Sequence, residues 1–209
     1  MGLSREPNPE PVRAARRRFA AAVGLDFEAA TLMGAVHGAE LARVERPGGL
    51  VEGVDGLVTD REDLPLFAVF ADCYPILLID PGRRCLALAH AGWRGTRSGM
   101  ATATVRTLQR EYGCRPGDLV AGIGPGICGR CYEVGGEVAS QFPPQVVRRS
   151  PDGRFRLDLA AANRLALLAA GLEPGNVHVQ GACTFESAQL FSHRRDADGS
   201  RFGCLAALG

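Results

Sequence analysis

Lysine is absent from this chain of 209 residues, and all 24 basic positions are arginine. That excludes a Schiff-base lysine, a Walker-A phosphate loop and a lysine general base, so phosphate or carboxylate recognition falls to Arg forks and backbone amides. Charge of either sign is not in excess: the net formal charge is +1, which gives no electrostatic case for binding nucleic acid or an anionic membrane. No stretch approaches the ~18 uninterrupted apolar residues of a membrane span, and the polar, proline-rich Met1 to Glu10 lacks the character of a secretory signal. Cysteines number seven, at positions 73, 85, 114, 128, 131, 183 and 204. An odd count in a chain large enough to fold without staples argues against a disulfide framework and for a reducing cytoplasm.

What is present is ordinary for a globular protein, with 46% hydrophobic and 22% charged residues, and residues 1–209 are expected to form a single domain. Pro11 to Gly24 is expected to be a helix with Val12, Ala15, Phe19 and Val23 on one apolar stripe, and with Arg13, Arg16, Arg17 and Arg18 on a solvated face. Strands are expected over Ala29 to Val36, Asp55 to Thr59, Leu66 to Phe70, Leu119 to Ile123, Phe155 to Leu157, Val177 to Gln180, Gln189 to His193 and Phe202 to Ala206. Helices are expected from about Ser98 to Tyr112, from Gly135 to Phe142 and, capped by Asp158, from Asp158 to Ala170. The alternation predicts a mixed α/β fold whose hairpins prevent a wholly parallel sheet.

The chemistry is expected near one hairpin. Asp80-Pro81-Gly82-Arg83 is a strong turn signal, and the apolar runs Ile76 to Ile79 and Cys85 to Ala89 flank it. Cys73 and His90 lie almost symmetrically about that turn, so the ladder brings thiol and imidazole together. Such a pair can ligate zinc or act as nucleophile and base. With His37, one of only four histidines, the pair would make a three-ligand zinc site that keeps a position for water or substrate. Gly38 and Gly92 beside these residues permit close approach. Asp72 precedes the thiol and either orients a histidine or points away, since adjacent side chains of an extended segment face opposite ways. Arg94, in Gly92-Trp93-Arg94-Gly95, is read as an anion contact, with Trp93 as a stacking or packing surface. His193 and the arginines at 194 and 195 offer a second anion contact or form a charged strand end. Cys128 and Cys131 make a lone C-x-x-C, which lacks the second pair of a four-thiolate zinc knuckle and reads as a shaped loop at a pocket wall.

Seven segments occur in order: Ala-Val-His-Gly at 35–38, Asp-Gly-Leu-Val-Thr at 55–59, Ala-Asp-Cys at 71–73, His-Ala-Gly-Trp-Arg-Gly at 90–95, Gly-Ile-Gly-Pro at 122–125, Cys-Tyr-Glu-Val at 131–134 and Phe-Ser-His-Arg-Arg-Asp at 191–196. Together they resemble the laccase-domain family, formerly described as polyphenol oxidases and now as zinc-dependent purine nucleoside phosphorylases. The resemblance implies a four-layer α/β/β/α arrangement similar to the catalytic domain of cytotoxic necrotizing factor. It also implies zinc ligands His37, Cys73 and His90. The activity implied is phosphorolysis of adenosine, inosine, guanosine and methylthioadenosine, with adenosine deamination beside it. Purine nucleoside and phosphate are then the partners, with Arg94, His193 and Arg194 as contacts, and Cys73, His90 and Asp72 as the catalytic set. Two departures stand out: Ala35 replaces the family's glutamine, and the family's N-terminal strand region has no counterpart before the Pro11 helix. Rival readings are a Cys-His hydrolase acting on an amide such as a cell-wall precursor peptide, with Cys73 as nucleophile, and a nucleoside-binding protein without turnover. Copper polyphenol oxidation fits least, because four histidines cannot build several copper sites.

Overall fold

The turn at residues 80–84 follows from its composition. The Asp80 carboxylate accepts hydrogen bonds from the backbone N–H groups of Gly82 and Arg83, at 3.0 and 2.9 Å, an Asx-type cap that reverses the chain. The computed structural model describes residues 9–209; residues 1–8, most of the stretch read above as a polar start, lie outside the described part. In chain order the elements are α1 (Pro9–Ala22), β1 (Thr31–Gly34), β2 (Leu41–Arg43), β3 (Leu50–Glu52), β4 (Gly56–Thr59), β5 (Leu66–Phe70), β6 (Tyr74–Asp80), β7 (Cys85–Ala91), α2 (Trp93–Arg97), α3 (Met100–Tyr112) and β8 (Val120–Ile123). They continue with β9 (Glu133–Val134), α4 (Gly136–Ala139), β10 (Val147–Arg149), β11 (Phe155–Leu157), α5 (Leu159–Ala169), β12 (Val177–Val179), α6 (His193–Asp196) and β13 (Phe202–Ala206). Among the described residues no helix is long and apolar enough to cross a membrane.

Among the described residues the fold is mixed α/β with three sheets. A six-stranded sheet has the order β12-β8-β6-β7-β4-β2, a four-stranded sheet the order β13-β5-β1-β3, and β10-β11-β9 form a small third sheet. Parallel and antiparallel pairs coexist in both large sheets.

Strand β7 shows why the layers stack as they do. Its period-2 alternation sends Cys85, Ala87, Ala89 and Ala91 to a core shared with Met100, Val105 and Leu108 of α3 and Leu159 and Leu167 of α5. Small residues on that face let the helices pack closely. Leu86 and Leu88 point the other way, into a second core with Met33 of β1 and Leu66, Ala68 and Phe70 of β5. The two large sheets therefore pack face to face, with α3 and α5 behind one and α1 behind the other, where Ala20 and Phe27 meet Phe67. Leu88 is wholly buried between the sheets, and its truncation to alanine would cost about 2–5 kcal/mol. His90 and Cys73 share the parity of Leu88 and Leu77, so both emerge at the end of the inter-sheet layer.

Several sequence expectations change. Helix α1 forms, but its buried residue is Ala20, while Phe19 and Val23 are exposed; Arg16 stacks on Phe67 and Arg13 and Arg17 pair with Glu28. The helix expected from about Ser98 to Tyr112 forms as α3 and starts at Met100, because Gly99 adopts a left-handed conformation (φ 83°) that separates it from the short α2, which was not expected. Helix α4 is a single turn, closed off before Pro143 and Pro144. The strand expected at 189–193 is absent: Ser192 instead caps α6, accepting the Arg195 N–H. Between the expected strands at 29–36 and 55–59, the Gly- and acid-rich residues 38–54 contain β2 and β3, for which no strand was expected.

Candidate functional site

Strands β1 and β5 run parallel as neighbours, so the segments that follow them, carrying His37 and Cys73, leave the sheet at the same end. His90 comes to that end from the facing sheet. The ligand atoms of His37, Cys73 and His90 lie within 4.8 Å of one another. The hairpin register pairs Pro75 with His90 and Tyr74 with Ala91, which sets Cys73 opposite Gly92. A Cβ on Gly92 would sit 2.8 Å from the Cys73 sulfur, and one on Gly95 would sit 2.7 Å from the Gly38 carbonyl oxygen. Both glycines of the Gly-Trp-Arg-Gly turn are thus required by close approach to the site.

A residue that sequence reasoning left out of the site organises it. Asp55 is fully buried and precedes β4, where its backbone carbonyl accepts the His90 N–H at 2.7 Å. Its carboxylate accepts the backbone N–H groups of Val36, His37 and Gly38 at 3.1, 2.9 and 2.6 Å. Three successive amides form a nest around an anion, and that nest accounts for the left-handed backbone of His37 (φ 65°). The same carboxylate lies 2.9 Å from His90 Nδ1. An ionised carboxylate only accepts, so Nδ1 carries the proton and Nε2 is left for a metal or for the thiol. Burial opposes the charge on Asp55, but hydrogen bonds from His90 and Gly38 outweigh it and hold its pKa below the usual carboxylate range.

The electrostatics of the pair follow. Burial works against a thiolate at Cys73, yet hydrogen bonds from His37 and then His90 bring its pKa down to about 6. Burial likewise works against an imidazolium at His90, and Asp55 and then Cys73 raise it to about 9. A thiolate and two imidazoles, one oriented by a buried carboxylate, are donors that suit zinc, and the three residues fit such an ion.

All three line a cavity of about 440 Å³, within the range of small-molecule sites. Ile127, Tyr132, Trp93 and Leu159 supply flat or apolar walls, and Arg94, His193, Arg194 and Arg201 bring the basic groups. Arg94 stacks its guanidinium on Trp93 at 4.4 Å, and Arg194 on Tyr132 at 5.3 Å.

All but the last residue of the chain, residues 1–208, matches the family model described as multi-copper polyphenol oxidoreductase laccase. The chain belongs to this laccase-domain family. A purine nucleoside phosphorylase of Deinococcus radiodurans is 42% identical over 198 residues, covering 92% of this chain and 75% of that one. An adenosine deaminase, RL5, from an unknown prokaryote is 34% identical over 198 residues, covering 87% and 75%. The crystal structure of YlmD from Geobacillus stearothermophilus superposes with a TM-score of 0.93 at 35% identity, covering all of this chain and 84% of that one.

Within this laccase-domain chain, the residues singled out from sequence do not all serve one point. Asp72 lines the cavity, but its carboxylate accepts the Thr184 hydroxyl and the Arg194 N–H, each at 2.7 Å, and orients no histidine. It ties three loops together, with a positive φ of 78° that aspartate tolerates. Arg195 is no anion contact, because its guanidinium donates to the carbonyls of Thr184, Ser187 and Leu190 and pairs with Asp196. Tyr132 and Arg201 were missed as cavity residues. The Asp-Gly pair opening the 55–59 segment was the available signal for Asp55, read there only as the start of a strand.

Proposed function

We propose that this chain is a zinc-dependent purine nucleoside phosphorylase acting on adenosine, inosine, guanosine and methylthioadenosine, with adenosine deamination as a side activity. The observation that carries the reading is the convergence of His37, Cys73 and His90 on a nucleoside-sized cavity rimmed by arginines. The names of the related enzymes support it. In the reaction, a phosphate oxygen bonds to C1′ of the ribose as the C1′–N9 bond breaks. The electron pair goes to the purine, which takes up a proton and leaves as free base beside ribose 1-phosphate. His37, Cys73 and His90 would hold the zinc, which when bound would supply Lewis acidity. Arg94, pre-oriented on Trp93, and Arg194, on Tyr132, hold the phosphate and offset its charge, with His193 as a further donor. Ile127 and Leu159 exclude water from the purine side. Asp55 keeps the His90 proton on Nδ1 throughout. In deamination, water replaces the amino group at purine C6 in the same cavity and ammonia leaves. All seven thiols are free, which suits a cytoplasmic setting.

A second reading has an observation of its own. A thiol brought down to about 6 beside an imidazole is what a Cys-His hydrolase needs. Metal occupancy separates the two, because a thiolate bound to zinc is not free to attack carbon. The test is chromatography of inosine and adenosine incubated with zinc-loaded protein, with and without phosphate, beside Cys73→Ala. Phosphate-dependent release of base and ribose 1-phosphate, lost in the variant, is expected. Absence of base under every condition would overturn the proposal.

A further inference from the structure

The Cys128-x-x-Cys131 pair is not alone in the folded chain. A short parallel bridge joins Gly126 to Cys183, and the Thr184 N–H donates to the Gly126 carbonyl at 3.0 Å. These contacts bring a second turn, Cys183-x-x-Glu186, against the first. The sulfurs of Cys128, Cys131 and Cys183 and a carboxylate oxygen of Glu186 all lie within 4.8 Å of one another. Glu186 Oε1 is 3.3 Å from the Cys131 sulfur and 3.9 Å from that of Cys128. Zinc bonds of about 2.3 Å to sulfur and 2.1 Å to oxygen, at tetrahedral angles, place such atoms about 3.6 Å apart. The observed spacings bracket that value. The C-x-x-C that looked incomplete in sequence has its second pair, with a carboxylate in place of the last thiol.

The backbone N–H of Cys128 donates to the Cys183 sulfur at 3.3 Å, a contact that stabilises charge on that sulfur. Three thiolates and a carboxylate around a divalent ion leave a net charge of about −2, and Arg130, 2.9 Å from Glu186, offsets part of it.

We propose that Cys128, Cys131, Cys183 and Glu186 form a second, structural zinc site. All four donors come from the protein, so the site is closed, unlike the three-donor set at the cavity. Its place gives it a purpose. The first turn continues into Ile127 and Tyr132, which wall the cavity, and the second carries Thr184, which holds Asp72. The ion staples two loops that the active cavity depends on. This inference is independent of which reaction the cavity performs.

The test uses full-length protein purified under reducing conditions, with zinc per chain measured by mass spectrometry and thiol alkylation mapped residue by residue. Wild type is expected to hold about two zinc ions per chain, and Cys73→Ala and Cys131→Ser about one each. In Cys73→Ala, which leaves this cluster intact, Cys128, Cys131 and Cys183 should resist alkylation until a chelator is added. Cobalt substituted into that variant should show thiolate-to-cobalt charge-transfer absorption. A zinc-free Cys73→Ala protein, alkylation unaffected by chelator, or a Cys128–Cys131 disulfide under reducing conditions would each overturn the proposal.

Discussion

Two groups of soft donors lie among the described residues, and Cys73 of the first and Cys131 of the second are in opposite electrostatic states. At the cavity, Cys73 has two imidazoles for neighbours and its acidity rises until the pKa is about 6. At the surface turns, burial, the Glu186 carboxylate and the Cys128 sulfur all push the Cys131 thiol up. Burial is unfavourable to the thiolate in both places. What differs is the sign of the neighbours, so the fold decides the chemistry of a cysteine through what it sets beside the sulfur. The first group sits on strand ends, locked by a buried carboxylate, and opens on a cavity. The second is closed, on two turns, and suits a role in holding structure.

The largest expected break in that contrast comes from Cys73→Ala. Removing the thiolate takes away one of three donors at the open site, and nucleoside phosphorolysis should fall by roughly 10³-fold or more, as read by single-time-point chromatography of inosine. Folding should persist, because the Cys73 side chain packs only at the margin of the inter-sheet core. Collapse of the fold, with loss of the circular dichroism spectrum, would show that the pair is structural. Asp55→Asn is the next largest. The amide cannot accept from three backbone N–H groups and from His90 at once, and its own N–H₂ faces donors. Affinity for zinc at the cavity should drop about 10–100-fold in a chelator competition, while zinc at the surface turns is retained. Equal loss from both sites would mean that Asp55 supports the whole fold rather than one site.

How much of this was legible follows the same division. The hairpin was readable because Asp80-Pro81-Gly82 is local turn chemistry and the flanking runs are short and apolar; β5, β11 and β13 fall at Leu66–Phe70, Phe155–Leu157 and Phe202–Ala206 as expected. The nearness of Cys73 and His90 came with it. The role of Asp55 was not readable, because three of its four side-chain partners lie 17 to 19 residues upstream and the fourth 35 downstream. Cys183 and Glu186 stand more than fifty residues from the C-x-x-C they complete, and no local pattern announces that pairing. At 189–193 a strand was expected, whereas the Ser192 hydroxyl accepts the Arg195 N–H and the Asp196 carboxylate accepts the Ser192 N–H, in the manner of a helix start. Local capping won over β-propensity there.

A smaller effect is expected from the arginines, and it separates cavity groups from loop braces. Arg94→Ala should raise the KM for phosphate about tenfold, equivalent to about 1.4 kcal/mol, with little change in the melting temperature. Arg195→Ala should do the reverse, lowering the melting temperature because the carbonyls of Thr184, Ser187 and Leu190 lose their donor. Equivalent phosphate effects from both substitutions would refute the assignment of Arg94 as the anion contact.

The finest test of the comparison is a pH profile of alkylation on chelator-treated protein. Only the thiolate reacts, and the Cys73 pKa is depressed, so its rate should rise as pH increases through about 6. His90, at about 9, stays protonated across the interval from about 6 to 9, and the pair exists there as thiolate and imidazolium. Above that interval the imidazolium loses its proton, and the rate should change once more. Cys131, pushed up by burial and by Glu186, should need a higher pH than Cys73 to react. In His37→Ala, the largest stabilising hydrogen bond on the Cys73 thiolate is gone, and the lower midpoint should move upward toward the ordinary thiol value of ~8.5 without affecting Cys131. A common midpoint for both thiols, or one at Cys73 that ignores His37, would mean that neighbours do not set the acidity of these sulfurs.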